Sequence, residues 1–239
     1  MANILLFLFA ACGLIEIYSV YNGIPEIHHI SKPLLMPLLL AWFISKTQKY
    51  NSGIKKFVII ACITSFMGDV FLMFLPDESL GESLWGVKRN EAFFLYVLGS
   101  FFLAHLAYIL AFVLPFRKKS QRGIVVAKPL IGILLLSYGV VFIYTLFPHL
   151  GDFTIPVIAY AIVILLMVTT AINRFGRVSE LSFWAVAIGA ILFMLSDSMI
   201  AINKWPYPFE MASPMIMGTY ILGQLGIVAG LSWQVIDGE

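Results

Sequence analysis

Long runs of apolar residues dominate the pattern of hydrophobic and polar positions along the chain. Each run is about 20 residues long, which is the length that a helix needs to cross about 30 Å of hydrocarbon. A backbone that faces lipid has to satisfy its own hydrogen bonds, so every run is predicted to be a helix. The predicted spans are residues 4–21, 31–47, 57–75, 92–115, 125–147, 154–173, 181–203 and 213–236. The pattern predicts an all-α polytopic membrane helix bundle with about eight transmembrane helices, forming a single domain over residues 1–239.

Composition agrees with this prediction. The chain is 61% hydrophobic and only 12% charged, whereas a soluble domain of this length would carry far more charge on its surface. The net charge of +2 gives no indication of binding to nucleic acid, and we expect none. Cys12 and Cys62 lie in apolar runs without metal-ligand spacing, which is typical of small core residues.

Lysine and arginine residues predict the orientation of the chain in the membrane. The loops after the second, fourth and sixth spans carry 11 of the 15 basic residues, and such loops face the cytoplasm. Both termini are therefore predicted to be cytoplasmic, in the inner membrane if the chain is bacterial. The residues used are Lys46, Lys49, Lys55, Lys56, Arg117, Lys118, Lys119, Arg122, Lys128, Arg174 and Arg177, with Trp85, Trp205 and Trp233 as expected interface anchors.

Several polar side chains lie inside the predicted spans. Placing an ionisable or polar group in hydrocarbon is costly, so each of them is a candidate functional residue. Given the predicted orientation, all of them fall in a band from the middle of the membrane to its outer side. We therefore expect them to converge on one polar cavity that opens outward. The residues are Glu16, Lys32, Asp69, His105, Asp197 and Gln224.

Helical spacing extends these polar faces. His105 and Tyr108 are three residues apart, and Tyr220 and Gln224 are four apart, so each pair shares a helix face. Asn203 lies near the predicted mouth of the cavity.

Structural interpretations compete with the functional ones. Glu16 could form an ion pair with Lys32, and His105 could be a satisfied core histidine. Tyr220 and Gln224 could be contacts between helices. The remaining structural assignments are Lys204 as an interfacial side chain, Gly226 and Gly230 as helix-packing residues, and His28, His29 and His149 as loop residues without a role.

Five segments that contain these residues resemble one family in order and over essentially the whole chain. They are SKPLLMP at 31–37, GDVFLM at 68–73, FFLAHLAY at 101–108, FMLSDSM at 193–199 and TYILGQ at 219–224. Together they resemble the YhhN-type lysoplasmalogenases, which are multi-pass membrane hydrolases.

The resemblance implies that the chain cleaves the vinyl ether of lysoplasmalogens into a fatty aldehyde and glycerophosphoethanolamine or glycerophosphocholine. It implies catalysis by Asp69 and Asp197. It also implies substrate-binding roles for Lys32, His105, Tyr108, Asn203, Tyr220 and Gln224. We add Glu16 to these candidates because it is an acid within the first predicted span. The implied partners are this lysophospholipid substrate and the membrane lipids.

Two buried carboxyl groups suit this reaction. A vinyl ether hydrolyses by protonation of its terminal vinyl carbon, and water then adds to the resulting oxocarbenium ion. One carboxylic acid can supply the proton while a neighbouring carboxylate stabilises the cation and accepts a proton from water, as in glycosidases. We expect Asp69 and Asp197 to share one proton, although the sequence does not distinguish acid from base. No cofactor is expected, and one deep histidine without a usable cysteine pair argues against zinc.

Other functions use acids in a membrane. A proton-coupled transporter of lipids or small molecules is the main alternative, but no convincing internal repeat is visible. An intramembrane aspartyl protease also needs two aspartates, but Phe66-Met67 precedes Gly68-Asp69, so its Gly-x-Gly-Asp pattern is absent. A non-catalytic lipid-binding protein is a third alternative.

Overall fold

Helices make up nearly all of the structure, as the apolar runs predict. The computed structural model describes residues 2–75, 83–84, 87–88, 90–114 and 123–238. A two-residue hairpin of β1 (Ser83–Leu84) and β2 (Val87–Lys88) follows the third helix. Within these residues the helices are α1 (Ala2–Asn22), α2 (Pro25–Thr47), α3 (Ile54–Leu72), α4 (Phe93–Val113), α5 (Ile124–Ala127), α6 (Pro129–Leu146), α7 (Thr154–Ile172), α8 (Glu180–Lys204) and α9 (Ala212–Asp237), with 3₁₀ turns at Phe147–His149 and Gly151–Phe153.

The predicted fold class, an all-α polytopic bundle, is confirmed. In the described part of the chain, seven helices are long and apolar enough to cross a membrane, namely α1, α2, α4, α6 with the turn that follows it, α7, α8 and α9. The remaining long helix, α3, has 19 residues but carries Lys55, Lys56 and Asp69. With three charged residues, its composition alone does not identify it as a membrane-spanning helix. It packs against α2, α4 and α9 inside the bundle.

Helix α2 begins six residues earlier than predicted. Pro25 occupies its first turn, where proline is favoured because the missing N–H would have no partner there. Pro33 and Pro37 lie inside the helix without ending it. The prediction that His28 and His29 lie in a loop is therefore wrong, since both belong to the first turns of α2.

The fifth predicted span is interrupted. Lys128 leaves the helical conformation, with φ −128° and ψ 80°, and separates the short α5 from α6. The next residue is Pro129, and contact with the proline ring disfavours the helical conformation for the residue that precedes it.

Close packing of α8 on α9 depends on glycine. A β-carbon on Gly226 would lie 2.8 Å from the carbonyl oxygen of Ala185, and one on Gly230 would lie 2.8 Å from that of Ser182. Because neither residue carries a side chain, the two backbones can approach each other. The predicted packing role of both glycines is confirmed.

At one end of the bundle Arg174 is fully buried instead of lying in an exposed loop. Its guanidinium donates to the hydroxyl of Ser182 at 2.8 Å and to the side-chain oxygen of Gln234 at 2.9 Å. Arg174 therefore ties the end of α7 to α8 and α9. Other residues used for the topology prediction, Trp85, Arg117, Lys118, Lys119 and Arg122, lie outside the described residues.

Candidate active site

A polar cavity of about 430 Å³ lies at the end of the bundle opposite Arg174. Six helices contribute side chains to it: α2, α4 and α9 near their beginnings, and α1, α3 and α8 near their ends. Five of the nine predicted site residues line it, namely Lys32, Asp69, Asp197, Asn203 and Tyr220.

Asp69 lies near the end of α3 and is 2% exposed. The hydroxyl of Tyr220 donates a hydrogen bond to its Oδ2 at 2.6 Å. A β-carbon on the preceding residue, Gly68, would lie only 2.6 Å from the ring of Phe101, so glycine lets α4 approach α3 beside the acid. The helix contact that positions Asp69 thus depends on its immediate neighbour in sequence.

Asp197 is the matching acid on α8, with a side chain that is 8% exposed. The hydroxyl of Tyr160 on α7 donates to its Oδ2 at 2.5 Å. Each aspartate therefore accepts a hydrogen bond from one tyrosine of a different helix. The sequence prediction missed Tyr160, which falls in an otherwise apolar run with no partner at helical spacing.

His105 faces Asp197 from α4. Its Nδ1 lies 2.5 Å from the carbonyl oxygen of Phe101, which can only accept, so Nδ1 carries the proton. The other nitrogen, Nε2, lies 3.5 Å from Oδ2 of Asp197 and has no hydrogen-bond partner within the described residues. In the neutral ring this nitrogen is an acceptor aimed at the carboxyl group, so it can receive a hydrogen bond from protonated Asp197.

The two aspartates and Lys32 face the same space. Asp69, Asp197 and Lys32 all line the polar cavity, so the two carboxyl groups and the ammonium act on one another through a space largely shielded from water. Lys32 is itself only 8% exposed. The arrangement can supply and accept protons beside a positive charge, in a chamber built largely from membrane helices.

Tyr108 and Gln224 lie one layer behind the cavity. The hydroxyl of Tyr108 donates to Oε1 of Gln224 at 2.6 Å, and Nε2 of Gln224 donates to the hydroxyl of Ser65 at 3.0 Å. All three side chains are fully or almost fully buried. Gln224 follows Tyr220 by one turn of α9, so this layer adjoins the tyrosine that binds Asp69.

Comparison with known proteins now identifies the family. The sequence profile of the YhhN family matches residues 27–231. The chain belongs to the YhhN family. This confirms the resemblance that the five sequence segments indicated.

Two mycobacterial relatives of this YhhN-family chain are named lysoplasmalogenase, one from Mycobacterium bovis and one from Mycobacterium tuberculosis. Each is 34% identical over 157 residues, which cover 64% of this chain and 56% of the relative. The chain thus spans about half the length of these two proteins. A protein named lysoplasmalogenase TMEM86A, from Bos taurus, is 26% identical over 217 residues, covering 81% of this chain and 86% of its own length. No solved structure matches the chain.

Glu16 of the YhhN-family chain does not line the cavity. It is fully buried, and its carboxylate binds Nδ1 of His28 at 2.8 Å and the hydroxyl of Ser31 at 2.6 Å. The alternative interpretation of Glu16, an ion pair with Lys32, is therefore wrong, because both carboxylate oxygens are held by other residues of α2. His28 lies four residues before Lys32, so the two share a face of α2. The sequence could have indicated this only if the helix had been predicted to start at Pro25.

Lys204 lines the cavity instead of acting only as an interfacial side chain. Its ammonium lies 2.6 Å from Oε2 of Glu91 and 4.9 Å from the centre of the Phe94 ring. Glu91 also lines the cavity but precedes α4, outside any predicted span, so the search for polar residues within spans missed it.

Proposed function

We propose that this YhhN-family chain is a lysoplasmalogenase, which hydrolyses the vinyl ether of a single-chain glycerophospholipid to a fatty aldehyde and a glycerophosphodiester. The observation that carries the proposal is a pair of aspartates on one cavity within a membrane bundle, with side chains that are at most 8% exposed. The names of the relatives support the same substrate class. The five sequence segments of the family include both aspartates.

The proposed reaction uses the aspartates as acid and base. A protonated carboxyl group donates to the terminal vinyl carbon, and the remaining carboxylate stabilises the oxocarbenium ion and takes a proton from the attacking water. The hemiacetal then collapses to aldehyde and alcohol. Tyr160 and Tyr220 hold the carboxyl groups in place, and the Nε2 of His105 orients the proton of Asp197 when that acid is neutral.

Orientation of the bundle fits an amphiphilic substrate. We propose that both termini are cytoplasmic and that residues 1–239 form one domain. Lys46, Lys55 and Lys56 lie at the ends of α2 and α3 away from the cavity, which would place the cavity on the outer side.

Purified protein tests the function directly. We expect it to release free aldehyde from lysoplasmalogen, measured in detergent micelles, and to leave the saturated 1-alkyl ether analogue intact, because only a vinyl ether can be protonated to an oxocarbenium ion. No aldehyde from active, folded protein would contradict the proposal. Coupled movement of protons and lipid in vesicles, without hydrolysis, would favour the transporter.

Lys32 is the proposed ligand for the substrate phosphate. Replacing it with Met, Lys32→Met, keeps the length of the side chain but removes the charge, so we expect a weaker interaction with the head group. KM should rise by about tenfold or more, which corresponds to a charge-assisted hydrogen bond of roughly 1.5–3 kcal/mol, with a smaller change in kcat. Steady-state kinetics measure both constants.

Lys46→Met is the matched control, because Lys46 is a lysine of the same helix at its opposite end. It should leave both constants unchanged. A Lys32→Met enzyme with unchanged KM and greatly reduced kcat would remove Lys32 from the head-group site and place it in the chemistry.

A further inference from the structure

A second cavity, called here the apolar slot, adjoins the polar cavity. It lies between α4, α7 and α8, and α6 covers it through Phe142. Its lining is almost entirely hydrocarbon and aromatic, including Val97, Val157, Ala161 and Trp205. The two cavities share Phe94, Phe101, Asp197 and Ile200.

The shared residues place one of the two acids at a boundary of polarity. Asp197 lines both spaces, whereas Asp69 and Lys32 line only the polar cavity. Tyr160, which binds Asp197, belongs to the apolar slot. A molecule that is apolar at one end and charged at the other can therefore lie across Asp197 with each end in a matching environment.

We propose that the apolar slot binds the alkenyl chain of the substrate while the phosphate lies in the polar cavity near Lys32; this inference rests on the proposed lysoplasmalogenase function. A chain that comes from the bilayer exchanges one apolar environment for another, so the slot holds it through packing contacts and shape. The vinyl ether joins the chain to the glycerol, so it comes to lie at Asp197, between the two spaces.

The cover of the slot suggests how the chain arrives. The slot is narrow, with a volume of about 40 Å³, so it has to widen to admit a chain. Among the described residues of α6, only Gly139 and Leu146 are buried, which leaves this helix loosely held. A hydrogen bond of 2.6 Å between Tyr138 and Ser198 attaches it to α8. Outward movement of α6 would open the slot sideways to the bilayer at small cost in packing.

This orientation also separates the roles of the aspartates. The terminal vinyl carbon is the one farther from the ether oxygen; it carries the alkyl chain. The other vinyl carbon is bonded to the ether oxygen and lies on the glycerol side. Asp197, at the slot, is thus placed to donate its proton to the terminal carbon, whose new C–H bond takes the π electrons. Asp69, on the polar side, is placed to accept a proton as water bonds to the cationic ether carbon.

Collapse of the hemiacetal restores both groups. The hemiacetal hydroxyl returns a proton to Asp197, the C–O bond to glycerol breaks, and protonated Asp69 gives its proton to the departing glycerol oxygen. One water is consumed, and the aspartates end in their starting protonation states.

Filling the slot tests where the chain binds. Ala161 is 5% exposed and lines the slot, whereas Ala159 on the same helix is exposed. We expect Ala161→Phe to lower kcat/KM for a hexadecenyl substrate at least about tenfold more than for an octenyl substrate, because the ring occupies space that the longer chain needs. Ala159→Phe makes the same change outside the slot and should keep the wild-type ratio of the two substrates.

A binding measurement separates this inference from the proposed function. The saturated hexadecyl ether analogue should raise the unfolding temperature of wild-type protein and of Ala159→Phe. The increase for Ala161→Phe should be much smaller. Equal stabilisation of all three proteins, or an unchanged chain-length ratio in Ala161→Phe, would place the chain elsewhere. Stabilisation of wild type without any aldehyde release would keep the chain site and reject the proposed hydrolysis.

Chemical rescue tests the assigned roles. Azide needs no base to attack an oxocarbenium ion, so it should restore consumption of the vinyl ether in Asp69→Asn, where the proton donor remains. It should not do so in Asp197→Asn, where no cation forms. Rescue of Asp197→Asn alone, or of neither variant, would contradict the assignment.

Discussion

Asp197→Asn is expected to abolish detectable release of aldehyde from lysoplasmalogen. The amide cannot donate a carboxylic proton to the vinyl carbon, so the slow step of the reaction loses its acid. A positioned acid or base accelerates proton transfer by roughly 10²–10⁴, and the loss should be at least of this size. The measurement is the initial rate of aldehyde formation at saturating substrate.

Asp152→Asn is the matched control for this substitution. Asp152 lies exposed in the 3₁₀ turn before α7, so the same chemical change there should leave the rate unaltered. Elution as a single species and stabilisation by the saturated ether analogue should show that Asp197→Asn remains folded. Residual activity near that of wild type in such folded protein would remove Asp197 from the mechanism.

Asp69→Asn is expected to cause the second large loss. Without its carboxylate, the oxocarbenium ion has no adjacent counter-charge and the attacking water has no base. We again expect a decrease of about 10²–10⁴ in kcat, with a much smaller effect on KM because Lys32 and the apolar slot remain. Steady-state kinetics on the hexadecenyl substrate provide both values.

Tyr220→Phe offers a graded comparison at the same site. It removes the hydroxyl that donates to Oδ2 of Asp69 but leaves the carboxylate, so its effect on kcat should be smaller than that of Asp69→Asn. If Tyr220→Phe were as inactive as Asp69→Asn while still folded, Tyr220 itself would have to take part in proton transfer. A nearly unchanged kcat in Asp69→Asn would reject the two-carboxyl mechanism.

Most of the helix boundaries were predictable from hydropathy. Helix α7 was expected at 154–173, as the sixth span, and comprises Thr154–Ile172. Helix α8 was expected at 181–203, as the seventh span, and comprises Glu180–Lys204. The errors occur at proline, whose effect depends on position. Pro25 opens α2 earlier than the apolar run suggests, and Pro129 breaks a run that looked continuous.

The candidate site was predictable only in part. The cost of burying charge in lipid singled out Lys32, Asp69 and Asp197, which line one cavity in the structure. Tyr160 and Glu91 gave no comparable signal, because tyrosine is common in apolar spans and Glu91 lies outside them. Glu16 was correctly singled out as a buried acid that needs a partner, but its partners are His28 and Ser31. The alternative ion pair with Lys32 was inferred from opposite charge alone.

The sequence by itself determined that the chain is a helical membrane protein, approximately where its long helices begin and end, and which buried acids need an explanation. These properties follow from local hydropathy and from the cost of placing charge in hydrocarbon, which a linear pattern records. Only the tertiary structure decided that Tyr160 binds Asp197, that Tyr220 binds Asp69, and that an apolar slot meets the polar cavity at Asp197. Such contacts join helices that are distant in sequence, and they depend on how the helices rotate and pack, which no single span encodes.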